Sequence, residues 1–294
     1  MSSKIMFPGA IIITDSNVTA SVYEEWNDGP YLVGDRVYLP TNYGEYQALT
    51  DNTDKQPNLN PTDWKFLGTT NKFRMFDQFL NTQTVKNGAI DVSIAAYGAE
   101  ALYLGNLDTT TITIEVINLD ILQVIETKTY VTYRDIMDWQ DYFYGDWLDD
   151  KVESIIYERT TLSQNIAFHI IIDNGDNDVK CGIFTCGRVK VLGNTRWGVT
   201  VGAIDYSSVV IDTASGATYL SEGNYAKTLD IDIFTRTGSA NAVYKALINA
   251  RGKGIVFMPG KYELLSLYCY IQKHETLVNG PVETAITCQA IGLI

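Results

Sequence analysis

The sequence predicts a mainly β protein: a small aromatic-rich unit near the start, then a larger β-sandwich body with one or two short helices. Three observations carry that expectation. The 294 residues include 19 Tyr and 23 Gly among many β-branched side chains, a composition that suits pleated strands and tight turns. Period-two alternation recurs along the chain, most plainly in Thr109-Thr110-Thr111-Ile112-Thr113-Ile114-Glu115-Val116. Helical periodicity is confined to one clear segment near residue 240 and a weaker one at residues 133–142.

In chain order, residues 1–20 read as an extension with a short leading strand, Ala10-Ile11-Ile12-Ile13-Thr14. Residues 21–69 are dense in Gly, Pro, Asn and Asp with aromatics set between them. Such a stretch cannot bury a large aliphatic core, so aromatic side chains must hold it together. Residues 70–294 form the body. Strands are expected at 101–104, 109–116, 122–127 and 129–133. Ile166–Ile172 and Val179–Phe184 flank the polar Asp173–Asp178 and read as a hairpin. Further strands are expected at 198–203, 209–212 and 229–235. A helix follows in which Val243, Ala246, Leu247 and Ala250 share a face and Gly252 marks the stop. Ile255–Met258 resumes as strand. Many strands at short spacing with few helices are the pattern of a sandwich.

Charge and length narrow the function classes. The formal charge is −13, from 35 acidic and 22 basic residues. Phosphate backbones need clustered Lys and Arg, so no nucleic-acid partner is expected. The longest apolar runs fall well short of the roughly 20 residues of a spanning helix, and Pro8-Gly9 interrupts the start, so neither membrane insertion nor secretion is expected. Cys181, Cys186, Cys269 and Cys288 fit neither a zinc knuckle nor a redox pair and are expected to be buried free thiols.

No constellation points firmly to catalysis, and the expectation is a protein that is not an enzyme. His169 lies in an apolar strand, where a hydrogen-bonded imidazole is the simpler account than a base; His274 lies in a polar turn or strand end. Asp173–Asp178 offers oxygen ligands but lacks the distal Glu of a calcium loop, and a solvated turn explains it. No metal and no cofactor are expected. The densest aromatic and acidic cluster spans residues 133–150. Asp138 and Asp146 there could stand as a glycosidase pair, whereas Trp139, Tyr142, Tyr144 and Trp147 suit an aromatic protein interface.

Two resemblances follow from particular residues. Trp26, Tyr31-x-x-Gly34-Asp35-x-Val37-Tyr38, Tyr46-x-Ala48, Asn52, Pro57, Pro61 and Trp64-x-x-Leu67-Gly68 resemble the small three-stranded chitin-binding-type modules of bacterial chitinases. The resemblance implies a miniature core containing Tyr38, Tyr46 and Trp64. That family grips sugar with aromatics just after Tyr-x-Ala, where this chain has Leu49-Thr50-Asp51. Trp26, Tyr31 and Tyr43 are the candidate substitutes for carbohydrate or partner binding.

The remainder resembles structural proteins of tailed bacteriophages. The carrying residues are Asn71-Lys72-Phe73-Arg74-Met75-Phe76-Asp77, Asp138-Trp139-Gln140-Asp141-Tyr142-Phe143, Gly187–Gly198 and Ile204-Asp205-Tyr206-Ser207. This resemblance implies a virion protein of the tail or baseplate, made in the host cytoplasm. Its partners would be other virion proteins and further copies of itself as a trimer or hexamer. A host surface glycan is the alternative partner, and polysaccharide hydrolysis a second alternative.

Overall fold

A computed structural model describes residues 2–132, 139, 143, 152–161, 163–211, 216–260, 263–278 and 280–293. The chain is mainly β with few short helices. It opens with β1 (Ser2–Pro8) and β2 (Ile12–Ser16). Then come β3 (Glu24–Glu25), β4 (Pro30–Tyr31), β5 (Arg36–Leu39), β6 (Gly44–Ala48), β7 (Asn52–Thr53) and β8 (Trp64–Thr69). A single helical turn, α1 (Asn71–Arg74), leads into β9 (Thr84–Ala95), β10 (Ala101–Asp108), β11 (Thr111–Asn118), β12 (Gln123–Val131) and β13 (Ser154–Glu158). The longest strand is β14 (Ile166–Thr195). It is followed by β15 (Thr200–Asp205), β16 (Ser208–Ile211), β17 (Thr218–Ser221) and β18 (Tyr225–Arg236). The helix α2 (Thr237–Asn249) precedes β19 (Ile255–Met258), β20 (Leu267–Val278) and β21 (Glu283–Gly292).

The small sheet has the order β3-β5-β6-β8. Its antiparallel part has three strands, and β3 adds a two-residue parallel edge on β5.

Apart from β16 and β17, which pair with each other, the strands of the body hydrogen-bond with β1 and β2 into one thirteen-stranded sheet. β14 joins its parts, pairing along its length with β11, β9, β10, β1 and β18; proline, the residue that would break its ladder, is absent between 166 and 195. The expected hairpin around Asp173–Asp178 is corrected by the register. Ala167–Asp173 pairs with Ala95–Ala89 of β9, and Asp178–Cys181 pairs onward with Asn87–Thr84 of the same strand. The chain therefore continues in one direction, and the polar stretch is a wide bulge.

Neighbouring strands break at the same level. β10 and β11 form one line along β14, interrupted at Thr109-Thr110. There the Asp173 carbonyl accepts the Thr110 N–H at 2.9 Å and the Thr109 and Thr110 hydroxyls at 2.6 and 2.8 Å. β12 and β13 form the next line, pairing with β11 and β10 in turn. The chain departs from it after Thr132 and rejoins at Val152, whose N–H donates to the Thr132 carbonyl at 3.0 Å. Ile90, Val92, Ile94, Ile112, Ile114, Ile170 and Phe168 fill the core of this part.

At its other end the sheet closes on itself. The path β14-β1-β19-β20-β21-β18 returns to β14 through Asn194↔Phe234 and Thr195↔Ile233. Ile5, Leu192, Ile231, Phe257, Cys269 and Ile286 face the inside of this ring, and α2 lays Val243, Ala246 and Leu247 against them. α2 matches the helix expected from the sequence. The leading strand is corrected: β1 lies at Ser2–Pro8, central between β14 and β19, while Ile12–Ser16 is a short edge strand on β9. No helix among the described residues is long and apolar enough to cross a membrane.

Candidate binding surface on the small sheet

The small sheet builds its core by alternation. Val37 and Leu39 of β5, Tyr46 and Ala48 of β6, and Trp64 of β8 point inward and are buried. The Trp64 indole donates to the Lys55 carbonyl at 2.8 Å, so its polar edge is satisfied. Gly34, at φ +97°, makes the turn into β5, where the Asp35 carboxylate accepts the Leu32 N–H at 2.8 Å. A left-handed backbone of this kind favours glycine.

Of the residues assigned to the core from sequence, Tyr46 and Trp64 lie in it. Tyr38 lies on the opposite face, because it falls between the inward Val37 and Leu39. Trp26 and Tyr31, candidates for binding, are half-buried against the core cluster. The Tyr31 ring meets Trp64 edge-on at 5.1 Å, and its hydroxyl donates to the Asn27 carbonyl at 2.8 Å. Neither ring is presented as an open platform for a sugar face. Tyr43 is exposed, at φ +53°, and stacks on Phe73 with centroids 3.5 Å apart. At the Leu49-Thr50-Asp51 position, Thr50 donates to Asp63 at 2.8 Å and Asp51 accepts the Val33 N–H at 2.9 Å. Those polar groups are engaged in the loop itself.

A groove of about 810 Å³ runs between this sheet and the body, lined among others by Ile13, Tyr38, Tyr43, Lys72, Phe73 and Asp77. Burial raises the Asp77 carboxyl above its ordinary value, against hydrogen bonds from the Phe79 N–H and Thr82 that lower it. The groove joins aromatic faces to one cation and one carboxyl, which can hold a polar ligand with apolar faces. Sequence reasoning missed Phe73 and Asp77 as lining residues, although both lie in the Asn71–Asp77 stretch that it singled out.

The segment joining the two parts is bolted at several points. Asn71 pairs with the Val85 backbone in both directions at 2.8 and 2.9 Å. Met75 is buried; its N–H donates to Thr84 at 2.9 Å and its carbonyl accepts the Phe184 N–H at 2.6 Å. Arg74 donates to the Thr69 carbonyl at 3.0 Å and lies 3.7 Å from the buried Glu45 carboxylate, which also accepts from Ser21 at 2.8 Å.

Elsewhere, Trp139 is 77% exposed and stacks near Phe143 at 6.1 Å. Tyr142, Tyr144 and Trp147, the rest of the aromatic interface, lie outside the described residues, as do Asp138 and Asp146 and the helix expected at 133–142, apart from Trp139. His169 is held between two carboxylates, Nδ1 to Glu115 and Nε2 to Asp91, each at 2.9 Å. The Glu115 hydrogen bond, more than that of Asp91, raises its pKa against the lowering effect of burial. All four cysteines are buried and free, and burial pushes Cys181, Cys186 and Cys288 up to about 12. Among the described residues no group of three or more His, Cys, Asp or Glu side chains is arranged to hold a metal ion. Comparison with known proteins adds no relative: no family model matches the chain, and no curated protein does.

Proposed function

We propose that this chain is an assembly protein of a tailed-bacteriophage virion, in the tail or baseplate, whose residues 21–69 form a carbohydrate-binding-like module held in a fixed pose on the body. The observation that supports it best is the bolted junction. The Tyr43–Phe73 stack and the Asn71, Arg74 and Met75 contacts make the module a rigid projection. A rigid projection suits a neighbour at a defined place in an assembly, because docking then costs little ordering entropy. A module that samples scattered glycans gains instead from a flexible tether. The acidic surface and the exposed Trp139–Phe143 pair fit the same reading, since exposed aromatics anchor protein interfaces.

Quantitative mass spectrometry of purified particles tests the proposal. A fixed copy number per virion is the expected result; absence from washed particles refutes it. The groove beside Tyr38, Tyr43, Lys72 and Asp77 favours a second reading, glycan binding by the module. Retention of the full chain on chitin or a glycan array, weakened by Tyr43→Ala, is the result that reading requires.

A further inference from the structure

A cleft of about 670 Å³ opens on the outer face of the ring and shares no lining residue with the groove beside the small sheet. It is lined by Tyr268 and Tyr270 of β20, by Gln78 and Phe79 of the loop after α1, and by Lys253 and Gly254 just before β19. Strand alternation places the tyrosines. Cys269 and Ile271 pack inside the ring, so Tyr268 turns outward and joins Val256 and Met6, its successive neighbours across β19 and β1.

The loop that carries Phe79 is fixed from within. The Asp77 carboxylate accepts the Phe79 N–H at 2.8 Å and the Thr82 hydroxyl at 2.8 and 2.9 Å. The Leu80 carbonyl accepts from the Asn106 side chain at 2.7 Å, and the Leu80 side chain packs on the cluster around Tyr268. Phe79 is thereby held 49% exposed at the cleft. On the other side, a β-carbon at Gly254 would lie 2.4 Å from the Tyr268 hydroxyl oxygen, so glycine leaves the phenol its place. Tyr268 is only 6% exposed, yet among the described residues its hydroxyl has no hydrogen-bond partner. A buried hydroxyl is ordinarily paired, and the cleft is where this one can meet a partner.

We propose that this cleft binds a neutral saccharide ring. Its volume falls within the roughly 300–1,000 Å³ of small-ligand sites. Phe79, Tyr268 and Tyr270 offer apolar ring faces, while two phenol hydroxyls, the Gln78 carboxamide and the Lys253 ammonium supply polar tips around them. A sugar ring matches both, with C–H faces for the aromatics and hydroxyls along its edge. A purely apolar ligand would fill the faces and leave the Tyr268 hydroxyl unpaired, which a binding site discriminates against. Charge excludes a phosphorylated ligand. Lys253 is the one cation among the described lining residues, Asp77 acts on the Tyr268 phenol through its charge, and the whole chain carries −13. The site lies on the body, so it goes beyond the assembly reading and stands apart from the groove of the small sheet.

The test passes the full chain over immobilised oligosaccharides of neutral hexoses, N-acetylhexosamines and hexuronic acids. Retention on a neutral sugar is the expected result. Phe79→Ala, which removes an exposed ring from a loop held by its backbone, should weaken it by about tenfold. Tyr268→Phe, which deletes only the unpaired hydroxyl, should weaken it by about fivefold. Both variants should keep the wild-type circular dichroism spectrum, and Tyr43→Ala should bind as wild type does. No retention of wild type on any neutral sugar, retention on hexuronic acids alone, or equal retention of wild type, Phe79→Ala and Tyr268→Phe would each overturn the inference. Retention lost in Tyr43→Ala and kept in Phe79→Ala would put the sugar in the groove of the small sheet and overturn this site. A chain that binds no sugar but is found at fixed copy number in particles would sink the site and leave the assembly reading standing.

Discussion

His169 gives the sharpest handle on the fold. Its imidazole, on β14, bridges β11 and β9 through Glu115 and Asp91, both at 2.9 Å. Its folded-state pKa is raised, first by the Glu115 hydrogen bond. A group whose pKa is raised on folding stabilises fully below its unfolded value, near 6.5, and loses that contribution as pH rises through the folded value. Each charge-assisted hydrogen bond contributes about 1.5–3 kcal/mol when shielded. The His169 side chain is 24% exposed but Asp91 is 49% exposed, so the second bond falls to the roughly 0.2–1 kcal/mol of surface pairs. A neutral imidazole keeps one donor, and the net pH-dependent part is about 1–2 kcal/mol. Urea denaturation from pH 6 to pH 9 should show this decline in wild type and a flat profile in His169→Gln. Equal slopes in the two proteins would refute the reasoning.

Other outcomes follow from the same structure. Burial alone would raise the Glu126 carboxyl, but hydrogen bonds from Tyr157, Thr161 and Thr160 outweigh it and hold it at about 2. Its contribution is therefore present above about 4.5 and lost as pH falls toward 2, and Glu126→Gln should flatten that acid limb in thermal melts. Gly187→Ala should cost about 3 kcal/mol or more, read as a lowered melting temperature or as insoluble protein, because a β-carbon there would lie 1.8 Å from the Phe7 carbonyl oxygen. Met75→Ala, at the junction, should cost about 2–5 kcal/mol and expose the 70–84 segment to limited proteolysis. The four thiols should resist a disulfide reagent in the native state and all react in urea; a fast native reaction at any of them would contradict their burial.

Local chemistry was legible in the sequence wherever it was decided by neighbours in the chain. The alternation of Ile112, Ile114 and Val116, the apolar stripe of α2 and the aromatic core of Tyr46 and Trp64 all follow from period and turn residues. What could not be read was decided across the chain. Asp173–Asp178 has the composition of a turn, and only its pairing with β9 shows it to be a bulge in a 30-residue strand. The β16–β17 pair reads from sequence as one more short strand at Val209–Asp212, because exposure of both faces leaves no mark on period. Tyr38 belongs to the motif that suggested a core, yet alternation with Val37 and Leu39 turns it to the groove. Ile5 and Met6 look like an interrupted apolar start, and their central place depends on partners near residues 190 and 257.

That placement of β1 has a consequence for the order of folding. Ser2 pairs with Asn194 and Lys4 with Met258, so the ring holds in its middle a strand whose two neighbours are made roughly 190 and 250 residues later. Contacts so distant in sequence form slowly, because a long loop must close before they stabilise anything. During synthesis, Ile5, Met6 and Phe7 must wait uncovered while the small sheet and the β9–β14 region can already pack. The ring is the last part to close, and a chaperone that shields residues 2–8 would act on the step that limits its yield.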